Sequence, residues 1–285
     1  MRRMTTWAVA AVAIAAVGWG CRSEKWAGRQ AVNVKGSDTM VHLVSTWAER
    51  FMDVEPQAEV AVTGGGSGTG IAALINGTTD ICMSSRDIEE RERRQAADRG
   101  VEQTEFVVAL DGIAVVVHPS NPVDELTMEQ LRKMYIGTYT NWKEVGGEDQ
   151  QIVLLSRETS SGTYVFFQEH VLEKKDYARS ARLMPATSAI IQETSGSKGA
   201  IGYVGLGYAV EAGVRVTTLK IKARDDAPAV EPAVETVVSG AYPISRPLHF
   251  YARGEPAGAV KGFIDFCLSA EGQAIVKDLG FVPAK

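Results

Sequence analysis

An α/β fold with parallel or mixed sheets is predicted by one sequence event that occurs three times. An extended apolar run empties into a hydroxyl- and glycine-rich turn, and the turn opens into a helical pattern. Val32–Val34 leads into Gly36-Ser37-Asp38-Thr39, Val60–Val62 into Gly64-Gly65-Gly66-Ser67-Gly68-Thr69, and Ile152–Leu155 into Arg157-Glu158-Thr159-Ser160-Ser161-Gly162-Thr163. Strands that alternate with helices pack as layered α/β structures, whose ligands lie at the carboxyl ends of strands. All three turns stand at such ends. A helix N-terminus offers unpaired N–H groups and about half a positive charge, and serine and threonine add short-range donors. Three such turns, one carrying an arginine, point to a cradle for a small oxyanion.

The first element is not part of that fold. Arg2 and Arg3 precede an apolar run from Trp7 to Gly20. As a helix this run spans about 21 Å, against a bilayer core of about 30 Å, so it reads as a secretory signal rather than a membrane span. Cys21 closes it behind Gly18 and Gly20, and the pattern resembles a bacterial lipoprotein signal in which Cys21 is lipidated; an ordinary signal peptide with an incidental cysteine is the alternative. Residues 22–31 read as a polar tether.

Downstream, Met40, Leu43, Val44, Trp47 and Phe51 share one helical face, and Ile71, Leu74 and Ile75 share another. Asp80–Ser84 is a strand and Asp87–Arg99 a charged, solvated helix. Phe106–Leu110 and Ile113–Val117 are β-branched buried strands interrupted at Asp111-Gly112. His118-Pro119-Ser120-Asn121-Pro122 then stops any regular element and marks a domain boundary. Leu126–Tyr135 and Tyr164–Leu172 are helical, Gly199–Val204 is a short buried strand, and Ala227–Ala233 is a surface loop. Pro247–Tyr251 is a returning strand, and Val260–Val276 a final helix.

Composition narrows the function. The 285 residues suffice for one large α/β domain or two lobes with proper cores. The first twenty hold two of the 30 basic residues and no acidic one, leaving 28 basic against 35 acidic residues and a net charge of −7. That argues against nucleic acid, whose phosphates are bound by basic surfaces. An anion site here must work through local dipoles. Cys82 and Cys267 lie on apolar faces as buried thiols, with a disulfide as the alternative. No CxxC or His/Cys cluster suggests a metal, and no cofactor is expected.

Other uses of these motifs fit less well. After Gly70 stand Ile71 and Ala72, not the lysine of a phosphate-binding loop. Gly68-x-Gly70-x-x-Ala73 matches only a loose dinucleotide fingerprint. A hydrolase elbow centred on Ser67 fails because position 69 is threonine. Each turn alone is explained by helix capping; together they supply more hydroxyls than caps need.

Gly36-Ser37-Asp38-Thr39, Gly66-Ser67-Gly68, Arg157-x-x-x-Ser161-Gly162-Thr163 and Gly199-Ala200-Ile201-Gly202-Tyr203-Val204, in that order, resemble the phosphate-binding proteins of bacterial phosphate ABC transporters, the PstS family in its short form. The resemblance runs from about Val32 to Phe281. It implies a two-lobed, clamshell periplasmic-binding-protein fold, with residues 32–115 plus 246–285 in one lobe and 116–245 in the other. It also implies a monomeric, extracytoplasmic receptor that delivers inorganic phosphate to a membrane permease and does no chemistry on it. By position, the ligand contacts fall on Thr39, Met40, Ser67, Arg157, Ser161, Gly162 and Thr163. Longer members place a proton-accepting aspartate where this chain has Ser85, in a Ser-Ser-Arg form that short members share. Asp111 is the candidate acceptor, and a plain turn residue is its alternative reading. A receptor for sulfate or molybdate, or an exported enzyme acting on phosphorylated compounds, are the competing functions.

Overall fold

A computed structural model describes residues 30–284. The signal segment, Cys21 and most of the tether lie outside the described residues. The first strand, Gln30–Gly36, begins two residues inside the expected tether and pairs from Gln30 onward with Ala58–Thr63.

The strands join edge to edge in the order Ala58–Thr63, Gln30–Gly36, Ile81–Ser84, Ser245–Arg253, Gln103–Val117, Ala200–Gly205, Val153–Arg157 and Arg182–Met184. The first three are mutually parallel, and the return strand Ser245–Arg253 runs antiparallel to Ile81–Ser84. The strand Gln103–Val117 is 15 residues long and serves both halves. Its first part pairs antiparallel with the return strand, and from Ile113 onward it pairs with Ala200–Gly205. Asp111 and Gly112 therefore lie inside one strand, and Asp111 is not a turn residue. An Asp-Gly pair signals a hairpin only when the flanking runs fold back on each other; here they continue into different halves of the sheet.

Side-chain alternation along the strands feeds separate cores. In one lobe Val32, Val34, Ile81 and Met83 pack with Leu43, Trp47, Phe250 and Phe263, while Cys82 points to the opposite face with Ile71, Leu74 and Tyr251. In the other lobe Ile113, Val115 and Val117 face Leu131, Trp142, Phe167 and Tyr203, and Ala114 and Val116 face Ile190 and Val204. Each lobe is thus a sheet with helices on both faces. The changeover falls between Ala109 and Ile113 rather than at the His118-Pro119 turn, so Ile113 and Val115 pack with the second lobe. Val282, near the chain end, packs there too.

Cys82 and Cys267 are free, buried thiols in different cores, and burial pushes both thiols up. The final helix is two helices, Gly258–Leu268 and Ala270–Asp278. Ser269 stands between them in extended backbone, with ψ of 166°, and its hydroxyl accepts the Gly272 N–H at 3.1 Å. That bond caps the second helix. Gly272 in turn offers its carbonyl to the Trp47 indole N–H at 2.8 Å, so the break anchors the buried tryptophan.

Candidate functional site

The three turns converge. The first strand ends at Gly36; a single helical turn, Asp38–Met40, then leads into the helix Val41–Val54. Thr39 and Met40 are buried. The Met40 N–H donates to Ser37 O at 3.1 Å, and its side chain packs in the first lobe's core. The second strand ends at Thr63, and the helix Ser67–Ile75 follows Gly66, whose φ of 93° favours glycine. A Cβ on Gly66 would come within 2.5 Å of Ser160 O. The glycine thus lets the second lobe's turn close in, and the Gly68 N–H donates to Ser160 O at 3.0 Å.

The third turn follows the strand Val153–Arg157 and opens the helix Gly162–His170. Ser161 Oγ caps it, accepting the Thr163 N–H at 3.2 Å and the Tyr164 N–H at 3.4 Å. Thr163 Oγ1 lies 2.9 Å from Thr39 Oγ1 across the cleft. Gly162 packs so closely on the first lobe that an added Cβ would stand 2.3 Å from Ser67 Oγ and 2.8 Å from Ser85 Oγ. Ser85 Oγ accepts from Ser37 Oγ at 2.9 Å and lies 3.3 Å from Ser67 Oγ, which itself accepts the Ser85 N–H at 3.1 Å. Five hydroxyls, those of Ser37, Thr39, Ser67, Ser85 and Thr163, and the starts of helices from both lobes therefore meet in one buried place.

The charges are balanced in pairs. Arg157 is buried, and its Nη2 donates to Asp38 Oδ2 at 2.6 Å and to Pro185 O at 3.0 Å. Nη1 donates to Thr187 Oγ1 at 2.8 Å and Nε to Met184 O at 3.3 Å. Four of its five N–H groups are taken, which leaves one N–H of Nη1 for a ligand. The resemblance assigns it to a ligand; the structure ties it to Asp38 of the opposite lobe.

Asp111 is fully buried beside the cradle. Its Oδ1 accepts the Leu206 N–H at 3.0 Å, and its Oδ2 accepts from Arg246 Nη2 at 3.1 Å. Burial raises the carboxyl of Asp111 above its ordinary range against the opposing pull of Arg246, and burial lowers Arg246 likewise. A Cβ on Gly205 would be 2.7 Å from Thr39 Cγ2 and 3.1 Å from both Asp111 oxygens, which places the carboxylate next to Thr39. Arg246 Nη2 also donates to Thr163 Oγ1 at 3.0 Å. The sequence does not single out Arg246, nor does it show that Ser37 and Ser85 are neighbours; the hint for Arg246 is a charged residue standing immediately before the predicted strand Pro247–Tyr251.

A family model described as a PBP superfamily domain matches residues 23–271. The phosphate-binding protein PstS of Bacillus subtilis is 34% identical over 257 residues, covering 89% of this chain and 80% of the relative. The chain belongs to the PstS family. A solved structure from Clostridium perfringens, described as a phosphate ABC transporter substrate-binding protein with bound phosphate, superposes with a TM-score of 0.81 at 33% identity. It covers 90% of this chain and 100% of that one. An ABC-type phosphate transport receptor from Vibrio cholerae gives a TM-score of 0.70 at 28% identity, over 89% of this chain and 100% of that one. These PstS-type structures share the α/β architecture described above.

Proposed function

We propose that this protein is an extracytoplasmic receptor that captures inorganic phosphate between its two lobes and passes it to an ABC permease. The observation that carries this reading is the meeting of Thr39 and Thr163 hydroxyls, 2.9 Å apart, from opposite lobes. Ser67, Ser85 and the Gly162 helix start surround that point. Burying a phosphate strips its hydration, which costs several kcal/mol unless its oxygens find donors. Hydroxyls and helix N–H groups provide such donors without adding net charge, which suits a chain whose charged groups near the site are already paired.

Thr39, Ser67, Ser85, Ser161, Gly162 and Thr163 are the contacts in this reading, with residual donor capacity from Arg157; Met40 joins them only by sharing the N–H it gives to Ser37 O. Asp111 is the acceptor for a ligand proton, favoured by its burial beside Thr39. A ligand touching both lobes stabilises the closed form by its differential affinity. The lobes divide at the two strand crossings, one near Asp111 and one near Arg246. The receptor acts as a monomer, held to a membrane by lipid on Cys21, and performs no reaction. Relatives named as phosphate-binding proteins support transport over catalysis.

Calorimetric titration of residues 22–285 with phosphate and sulfate across pH tests this. Micromolar or tighter phosphate binding with sulfate silent is expected, as sites built around a required hydrogen bond reject analogues lacking it by roughly 10⁴-fold. Equal affinity for both would sink Asp111 as acceptor. Phosphate release from an ester would favour an enzyme. Arg157→Ala is expected to weaken binding strongly through loss of the Asp38 tie and the remaining N–H.

A further inference from the structure

Arg246 stands directly opposite Asp111 in the antiparallel pairing of the two strands that cross between the lobes. The side chains are fully buried, and one nitrogen, Nη2, reaches both Asp111 Oδ2 at 3.1 Å and Thr163 Oγ1 at 3.0 Å. Its guanidinium lies 5.2 Å from the centre of the Phe166 ring, one helical turn along from Thr163. Nε and Nη1 are buried without a protein hydrogen-bond partner among the described residues. The arginine is thus held by the crossing strands and reaches into the cradle.

We infer that Arg246 is a positioning residue for the anion site, acting through Thr163; this rests on the phosphate reading above. An arginine can only donate. Thr163 Oγ1 accepts from it, so the single Thr163 hydroxyl hydrogen is directed away from Arg246, toward Thr39 Oγ1 at 2.9 Å or toward a ligand oxygen. If it goes to Thr39, the Thr39 hydrogen is in turn sent onward. The cradle hydroxyls are thereby set as donors before an anion arrives, which suits a ligand rich in acceptors. Asp111 holds the arginine in place by taking the second hydrogen of Nη2. Because Asp111 and Arg246 belong to the crossing strands while Thr163 opens a second-lobe helix, the same contacts link the cradle to the hinge region.

Removing Arg246 alone leaves Asp111 as an unpaired buried charge, so the test removes both charges. Phosphate affinity is measured by calorimetry at pH 7 for the wild type, the double variant Arg246→Gln with Asp111→Asn, Thr163→Val, and the triple variant, with thermal melts confirming that each is folded. The double variant is expected to bind phosphate about tenfold or more weakly, the scale of a lost charged hydrogen bond. Thr163→Val is expected to cost a much larger fold-change in the wild type than in the double variant, since the arginine's effect runs through that hydroxyl. Arg246→Lys keeps the charge but lacks the fixed fork, and is expected to fall between wild type and double variant. Equal fold-changes for Thr163→Val in both backgrounds would overturn the inference and leave the phosphate reading intact. Unchanged affinity in the double variant would overturn the inference and Asp111 as acceptor together, phosphate binding itself still standing. A wild type that binds no phosphate would sink both.

Discussion

Arg157 Nη2 lies 2.6 Å from Asp38 Oδ2, and the two residues come from opposite sides of the cleft, 119 positions apart. The pair is largely buried, with Asp38 exposing 16% of its side chain. Tyr208, also from the second lobe, donates its hydroxyl to Asp38 O at 2.9 Å. Asp38 is therefore a point where the second lobe grips the first, and its role is mechanical as well as electrostatic. Its Oδ1 meanwhile accepts the Gly65 N–H at 3.2 Å, holding the glycine turn beside the first turn.

Asp38→Ala removes the cross-cleft tie but leaves Arg157 bonded to Thr187, Met184 O and Pro185 O on its own lobe. Only part of the 3–5 kcal/mol typical of a broken buried pair is therefore lost, about 1.4–2.8 kcal/mol, or about 10- to 100-fold in phosphate affinity. Phosphate-free Asp38→Ala is also expected to show a larger radius of gyration by small-angle scattering. A gain in affinity would mean that the freed charge of Arg157, and not the tie, governs the site.

Gly162→Ala tests the closeness of the lobes directly. The new methyl would point at Ser67 Oγ and Ser85 Oγ of the opposite lobe, at 2.3 and 2.8 Å. Gly162 is the first residue of its helix and its backbone lies outside the left-handed region, so alanine takes that conformation without strain. The second lobe should fold as well or better, while closure meets an overpacking cost of about 1–3 kcal/mol. Phosphate affinity is expected to drop about 5- to 150-fold with no loss in melting temperature. A lower melting temperature with unchanged affinity would show that the contact is not made on binding.

The parts of this site that are legible in the sequence are those written locally. Each strand-to-turn-to-helix passage is a contiguous stretch, so the order of residue types alone sets Thr39, Ser67 and Thr163 at strand ends. What is not legible depends on register between distant strands. Asp111 and Arg246 are 135 positions apart, and only the antiparallel pairing of the crossing strands sets them side by side. Arg157 reads as an open donor because its partner, Asp38, looks like one more capping residue. The break at Ser269 is hidden because the apolar spacing runs on through it, and a serine is a weaker stop signal than glycine or proline.

Asp111 makes a prediction about acid. Burial holds its carboxyl above the ordinary value of 3.8, so the folded protein takes up this proton at a higher pH than the unfolded chain. Its contribution to stability is then greatest below 3.8 and is lost as pH rises through the folded value. Asp111→Asn cannot titrate. In urea unfolding at pH 7 and pH 4.5, the wild type is expected to gain stability relative to Asp111→Asn at the lower pH, other acid effects being common to both. A relative loss would show that Arg246 overrides burial and holds the carboxyl down.

Ser161 separates capping from binding. Its Oγ already accepts two helix N–H groups, at 3.2 and 3.4 Å, so only its hydrogen is left for a ligand. Thr163, by contrast, meets Thr39 across the cleft and receives Arg246. Ser161→Ala is expected to cost about 1 kcal/mol of stability through the lost cap, lowering the melting temperature by about 2–4 °C. Its affinity loss should be smaller than that of Thr163→Val, which removes the donor between the lobes but leaves the cap in place. Measuring both variants by thermal melt and phosphate titration gives opposite rankings in the two assays. If Ser161→Ala proves the weaker binder, the hydroxyl at position 161 is a principal ligand despite its capping bonds, and the converging donors centre on the turn itself and not on the threonine pair.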